Sequence, residues 1–270
     1  MKKIIIFSIA LLSFCGCSST SVSNSLPTPL QNTKKENNEQ AGLRAAVEYE
    51  LAHNPAFQEK AFNIIKEEAE QDNAKAQTSL GNIYAFGLVG VPQDFEKAFY
   101  WYKKAAEQGE KQAQHHMGEM YREEEKYKDA FYWLEKSANQ DYSNAQMALW
   151  KMYCLGEGGK KDFKKAFYWV KKVAEQGDAE AQYIVGSMYN RGEGVKKNGQ
   201  EAFKWYIKSA AQENAGAQFM LGTMYYLGEA VKRDLNKAIE WLEKTTAQDS
   251  ENKIAKNLLD MCREELAQNK

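Results

Sequence analysis

Charge of one sign is missing from this chain, in which 36 lysines and arginines face 37 aspartates and glutamates over 270 residues. Nothing basic is clustered densely enough to hold a phosphate backbone, so nucleic-acid binding is excluded as a function class. Long apolar runs are missing as well. The run from Ile4 to Phe14, behind Lys2 and Lys3, is about eleven residues, too short to span a bilayer as a mature helix and shaped like an export signal. Catalytic signatures are also absent: there is no H-E-x-x-H, no G-x-S-x-G and no cysteine beside a histidine. Gly156-Glu157-Gly158-Gly159-Lys160 lacks the Ser or Thr that a phosphate loop needs after its lysine. No cofactor is expected.

What the chain does have is a segment written five times. The pattern A-Q-x-x-(L/V/M)-(G/W)-x-x-Y, a glycine-bearing loop, then K-A-x-x-W and A-x-Q recurs with first alanines at Ala76, Ala113, Ala145, Ala181 and Ala217. Self-similarity at a period of about 36 residues is the mark of a solenoid, in which each unit buries its apolar face against its neighbours. Within one unit, Val185, Met188 and Tyr189 recur at helical spacing, and after the loop so do Ala202, Trp205, Tyr206 and Ala210. Each unit therefore reads as a helix hairpin. Gly186 and the alanines keep the crossing tight, while the aromatic residues act as wedges. The loop Arg191-Gly192-Glu193-Gly194-Val195 supplies left-handed positions that end the first helix, and Asp94, Asp162 and Asp234 stand where a carboxylate caps the second.

These residues resemble the Sel-one-like repeats, relatives of the tetratricopeptide repeat. A-Q-Y-I-V-G-S-M-Y-N-R-G-E-G-V followed by A-F-K-W-Y-I-K-S-A-A-Q is similar, nearly position by position, to the family pattern A-x-x-x-L-G-x-x-Y-x-x-G-x-G-V…K-A-x-x-W-Y-x-K-A-A-x-Q-G. The resemblance implies an all-α, right-handed superhelical solenoid of antiparallel helix hairpins with a C-terminal capping helix. Five repeats occupy 76–250, a degenerate N-terminal repeat 41–75 (first helix Leu43 to Ala52) and the cap 251–270. Two departures stand out. The second unit carries Arg122-Glu123-Glu124-Glu125-Lys126 in place of the glycine loop, which predicts a tighter hairpin, and the fourth has Asn198 and Glu201 for the usual aspartate and lysine.

The N-terminus resembles a bacterial lipoprotein signal. Phe14-Cys15-Gly16-Cys17 is similar to a lipobox, which implies a signal peptide over 1–16, cleavage before Cys17 and acylation of Cys17. Two chains already suffice for stable anchoring. Ser18 after the cysteine resembles the default outer-membrane address, so an exported outer-membrane lipoprotein facing the periplasm is expected. A stretch poor in apolar side chains, 17–40, cannot offset the entropy of ordering and reads as a disordered polar tether. In the folded part only Cys154 and Cys262 remain. They are three repeats apart, beyond disulfide reach, and read as free, mostly buried thiols.

In tetratricopeptide-like arrays the first helices line the concave face, and the resemblance implies three ladders there. One is Thr78, His115, Met147, Tyr183 and Phe219; the next is Asn82, Glu119, Lys151, Ser187 and Thr223. A third, one turn on, includes Arg122, Asn190 and Tyr226. The groove so described is polar and charged in its amino half and apolar-aromatic in its carboxyl half. Core packing is the alternative for Met147 and Phe219. His115, His116 and Glu119 invite a metal reading, but two ligands on one helix face do not make a site; no metal is expected. Pairs such as Tyr100/Trp101, Tyr132/Trp133, Tyr168/Trp169 and Trp205/Tyr206 recur inside the second helix and are expected to pack between repeats rather than form a carbohydrate platform. The expected role is a non-enzymatic, monomeric scaffold for a protein partner, tethered by lipid. Family members act as adaptors and host-interaction factors, and several periplasmic ones as immunity proteins against type VI lipase effectors. The resemblance thus implies either role. A β-lactamase-like activity, attached to cysteine-rich relatives, would need repeated cysteine pairs that this chain lacks.

Overall fold

The computed structural model describes residues 53–268. The predicted Cys17 anchor, the 17–40 tether and the helix predicted over Leu43 to Ala52 lie outside them. Among the described residues the secondary structure is twelve α-helices and no strand. The chain divides into two compact units, at Glu124/Glu125, inside the segment that departs from the glycine-loop pattern.

The first unit holds α1 (Pro55–Glu70), α2 (Ala74–Phe86), α3 (Phe95–Glu107) and α4 (Lys111–Glu123). Each helix packs on the next. Ala61, Ile65 and Ala69 of α1 meet Ala76, Leu80 and Ile83 of α2, all fully buried. The second unit holds α5 (Tyr127–Ala138), α6 (Ser143–Leu155), α7 (Phe163–Glu175), α8 (Ala179–Arg191), α9 (Gly199–Ala210), α10 (Ala215–Leu227), α11 (Leu235–Gln248) and α12 (Lys253–Gln268). Here too neighbours in sequence are neighbours in space, and α12 closes the unit on α11 and α10. Its Ala255, Leu259 and Cys262 complete a cluster with Ala238 and Leu242. The all-α solenoid read from the sequence is the fold observed.

Helix ends follow the local chemistry. Asp94, Asp162 and Asp234 accept from backbone N–H groups of the first turn of α3, α7 and α11, satisfying donors that have no intrahelical partner. Asn198 does the same for α9, so its substitution for aspartate leaves the cap intact. Gly192 ends α8 at φ 75°, a left-handed position that costs glycine nothing.

Notch and wedge explain the hairpin crossings. A Cβ on Gly186 would stand 2.7 Å from the Tyr206 ring, so the fully buried ring fills the space that glycine leaves empty. Gly222 stands in the same way against Leu242, and Gly81 against Tyr102. In the third repeat the volumes are exchanged. Trp150 takes the glycine's register position and packs on a cluster in which the facing wedge is only Val170. At this crossing the larger residue stands on the first helix and the smaller on the second, the reverse of the glycine repeats.

Candidate interaction face

The first helices carry the side chains expected to line a binding face, and the structure sorts them. In the first unit Thr78 and Asn82 are 3% and 4% exposed, which corrects their placement in the groove. Asn82 accepts a 2.7 Å hydrogen bond from the Tyr102 hydroxyl, and Thr78 donates to the Ala74 carbonyl and reaches Glu110. Their polarity serves the hairpin, since a tyrosine buried at the crossing needs a partner for its O–H.

His115, Glu119 and Arg122 lie on α4 and are half-buried. Arg122 pairs with Glu119 at 3.2 Å. Burial lowers the His115 pKa to about 4. His116 stacks on Tyr102 at 4.6 Å, and burial, with the neighbouring His115, lowers its pKa to about 3. Both rings are neutral at pH 7 and have exchanged hydration for packing. No group of three His, Cys, Asp or Glu among the described residues is placed to hold a metal ion.

In the second unit the equivalent positions are more open. Lys151 on α6 is exposed and Met147 half-buried; Tyr183, Ser187 and Asn190 on α8, and Phe219, Thr223 and Tyr226 on α10, are half-buried. Tyr183 leans on Gly216 of α10 and lies 6.0 Å from Tyr206, while Ser187 accepts from the Tyr206 hydroxyl at 3.2 Å. Phe219 and Tyr226 rest on the α11–α12 cluster, and Arg233 lies over the Tyr226 ring at 5.4 Å. Each aromatic ring is thus backed by the core and partly exposed, with the Arg233 guanidinium over the Tyr226 ring. Cys154 and Cys262 are free thiols whose pKa burial raises, which keeps them protonated and poor nucleophiles.

The aromatic row of the second helices splits in a way the sequence reading missed. Trp169 and Trp205 are packed, at 7% and 8% exposure, and Tyr206 is fully buried, but Tyr100, Tyr132 and Tyr168 are more than half exposed. Adjacent residues on a helix point about 100° apart, so where the tryptophan packs inward the tyrosine before it turns outward. Lysines four residues on, Lys136 and Lys172, lie over Tyr132 and Tyr168; their regular i,i+4 spacing was the available signal.

Also missed was what the A-Q and A-x-Q motifs do. Gln77, Gln146 and Gln182 are buried and donate to the carbonyls of Ala69, Ala138 and Ala174 at the end of the preceding helix. Each also accepts from the glutamine that ends the following second helix, Gln108, Gln176 and Gln212, and Gln248 meets Gln218 likewise. One buried amide thus satisfies a helix C-terminus and ties it to the next repeat.

Comparison with known proteins agrees with this geometry. The Sel1 repeat family model matches five times, at residues 74–110, 111–142, 141–178, 179–214 and 215–250. A Sel1 repeat protein from Oxalobacter formigenes is 30% identical, with a TM-score of 0.66 over 78% of this chain and 84% of that one. A protective antigen of uropathogenic Escherichia coli with an SLR fold is 32% identical, with a TM-score of 0.63 over 76% of this chain but 44% of that one, so the chain spans less than half of its length. An immunity protein from Pseudomonas aeruginosa, at 23% identity and a TM-score of 0.41 over 71% of this chain and 75% of that one, is too remote to bear on function. Among curated proteins none matches. Five successive matches, reaching over more than half of the sequence, establish that the chain belongs to the Sel1-repeat family.

Proposed function

We propose that this protein is a non-enzymatic, protein-binding scaffold, exported and held by lipid on Cys17 at the periplasmic side of the outer membrane. The observation that carries the binding reading is the row Tyr183, Phe219 and Tyr226, rings backed by core and partly exposed. Rigid aromatic side chains of this kind dominate interface energies because little entropy is lost when they are covered. Lys151, exposed on the neighbouring helix, supplies rim charge that steers association. The partner we favour is a secreted toxin, a type VI lipase effector, with the protein as its immunity factor; the lipid anchor puts the aromatic row where such a toxin arrives. A second reading, a host-facing or envelope adaptor, draws support from the E. coli relative that is a protective antigen.

The test is binding by the double variant Tyr183→Ala/Phe219→Ala to the protein captured from envelope extracts with the wild type. Truncation costs about 2 kcal/mol or more in affinity, with helicity retained. Wild-type affinity in a folded double variant removes this face from the mechanism. Capture of a lipase selects the immunity reading.

A further inference from the structure

The three glycine loops of the second unit, 156–162, 192–198 and 228–234, share one pose. In each, the capping residue's N–H (Asp162, Asn198, Asp234) returns to a first-helix carbonyl (Tyr153, Tyr189, Tyr225) at 2.9–3.0 Å. They also abut: Gly194 lies against the Phe163 carbonyl with no space for a Cβ, and Gly199 meets Ala230. The loops therefore build one edge of this unit. Each brings a basic pair, Lys160/Lys161, Lys196/Lys197 and Lys232/Arg233, all exposed, with Lys164 beside them.

Apolar side chains stand out from the same edge. Leu155 and Leu227, the last residues of α6 and α10, are 55% and 53% exposed, and Phe163 is 37% exposed. The acidic groups among them are partly engaged: Asp162 and Asp234 cap helices and Glu193 pairs with Arg191. Glu157 and Glu229 are the other carboxylates of this edge, and Arg233 is taken by Glu265. The opposite edge, formed by the turns between hairpins, carries Asp141, which pairs with Lys172, Asp178, which caps α8, Glu213 and Asp249. The unit is thus polarised, basic and apolar at one end and acidic at the other.

Basic pairs repeated once per hairpin lie about 10 Å apart, too spread for one bound anion and suited to a sheet of anionic groups. Leucines between flexible lysines are the combination that enters a lipid interface: the apolar tips reach the acyl boundary while ammonium groups stay among phosphates. We propose that this loop edge docks on an anionic lipid surface, with Leu155 and Leu227 inserted and the lysine pairs on headgroup phosphates. The inference is independent of the aromatic row on the first helices.

Amide hydrogen exchange of the full chain tests it with vesicles of phosphatidylcholine alone or with about 30% phosphatidylglycerol. All arms share residues 1–52, so adhesion through them is common and local protection reports the docked face. The expected result is protection of 156–162, 192–198 and 228–234 on the anionic vesicles, reversed by high salt, with turns 211–214 and 249–252 unchanged. Leu155→Ser/Leu227→Ser lowers protection at 192–198 roughly tenfold, and Lys160→Gln/Lys196→Gln lowers it roughly fivefold per lysine. No loop protection, equal protection on neutral vesicles, or equal protection of the acidic turns overturns the proposal. So does undiminished protection in both variants once circular dichroism shows them folded.

Discussion

Gln212 at the end of α9 donates to the side-chain oxygen of Gln182 at 3.0 Å, thirty residues back on the first helix of the same hairpin. Gln182 in turn donates to the Ala174 carbonyl at 3.2 Å, so a single amide holds the end of α7 and the end of α9 together. Gln182→Ala removes the side-chain donor from the Ala174 carbonyl, which keeps the Gly177 N–H at 3.1 Å, and also unpairs Gln212; it is expected to cost about 1–2 kcal/mol, whereas Gln212→Ala, at an exposed residue, costs about 1 kcal/mol or less. A double-mutant cycle by urea unfolding should return a coupling of about 0.5 kcal/mol or more; strict additivity would deny the pair.

Gly186→Ala puts a methyl group within 2.7 Å of the Tyr206 ring, and overpacking of this kind costs about 1–3 kcal/mol. Gly159→Ala is its control. Nothing lies within 4 Å of a Cβ there, and the change should stay within about 0.5 kcal/mol. Equal melting temperatures for the two variants would dismiss the notch.

Trp205 sits in a cluster with Val170 of the preceding hairpin and Met188 of its own, and its truncation to alanine should cost about 3–5 kcal/mol. Tyr168→Ala, at a ring 53% exposed, should cost far less. Thermal unfolding ranks the two; a reversal would mean that the tyrosine row carries the packing.

Trp150 tests hydrogen bonding against volume. Its Nε1–H is buried without a partner, so Trp150→Phe relieves an unsatisfied donor while keeping most of the volume, and stability should change by less than about 1.5 kcal/mol. Trp150→Gly, the residue other repeats use, should cost about 3–5 kcal/mol, because Val170 cannot fill the void. Unfolding midpoints decide it.

Acid sensitivity follows from His115 and His116. Their folded pKa values, about 4 and about 3, lie below the 6.5 of an unfolded histidine, so the unfolded chain binds more protons beneath pH 6.5. The stability from keeping these rings neutral is complete above that value. It is lost as pH falls toward 4 and then 3, on the order of several kcal/mol in all. Urea titrations at pH 7, 6 and 5 should show the decline, and His116→Gln should flatten it; an unchanged slope would place the acid response elsewhere.

The fold was legible because the repeat exposes its own grammar. Ala181 and Gly186 gave the close crossing, Trp205 the wedge and Asp162 the cap, each fixed by local chemistry that recurs. The face was legible only in part. Register rules say where a Cα points, not which neighbour arrives there, so Asn82 was assigned to the groove although the Tyr102 hydroxyl claims it. The same limit hid Tyr168, since a Tyr-Trp pair does not reveal which ring the adjoining hairpin accepts. Glutamines at 77, 108, 182 and 212 were visible as a motif, but the pairing of each two within a hairpin and their bond to the end of the preceding one depend on side-chain reach that spacing does not show.

The exchange of volumes between Trp150/Val170 and Gly186/Tyr206 bears on how such arrays recombine. A crossover inside a glycine loop joins the first helix of one repeat to the second helix of another. Pairing a glycine with Val170 leaves a hole, and pairing Trp150 with a tyrosine forces a collision. A crossover in a turn between hairpins keeps each matched pair whole. Gene shuffling within this array should therefore retain breakpoints near Gly177 and Glu213 and discard those near Gly158 and Gly194, so that the hairpin travels as the inherited unit.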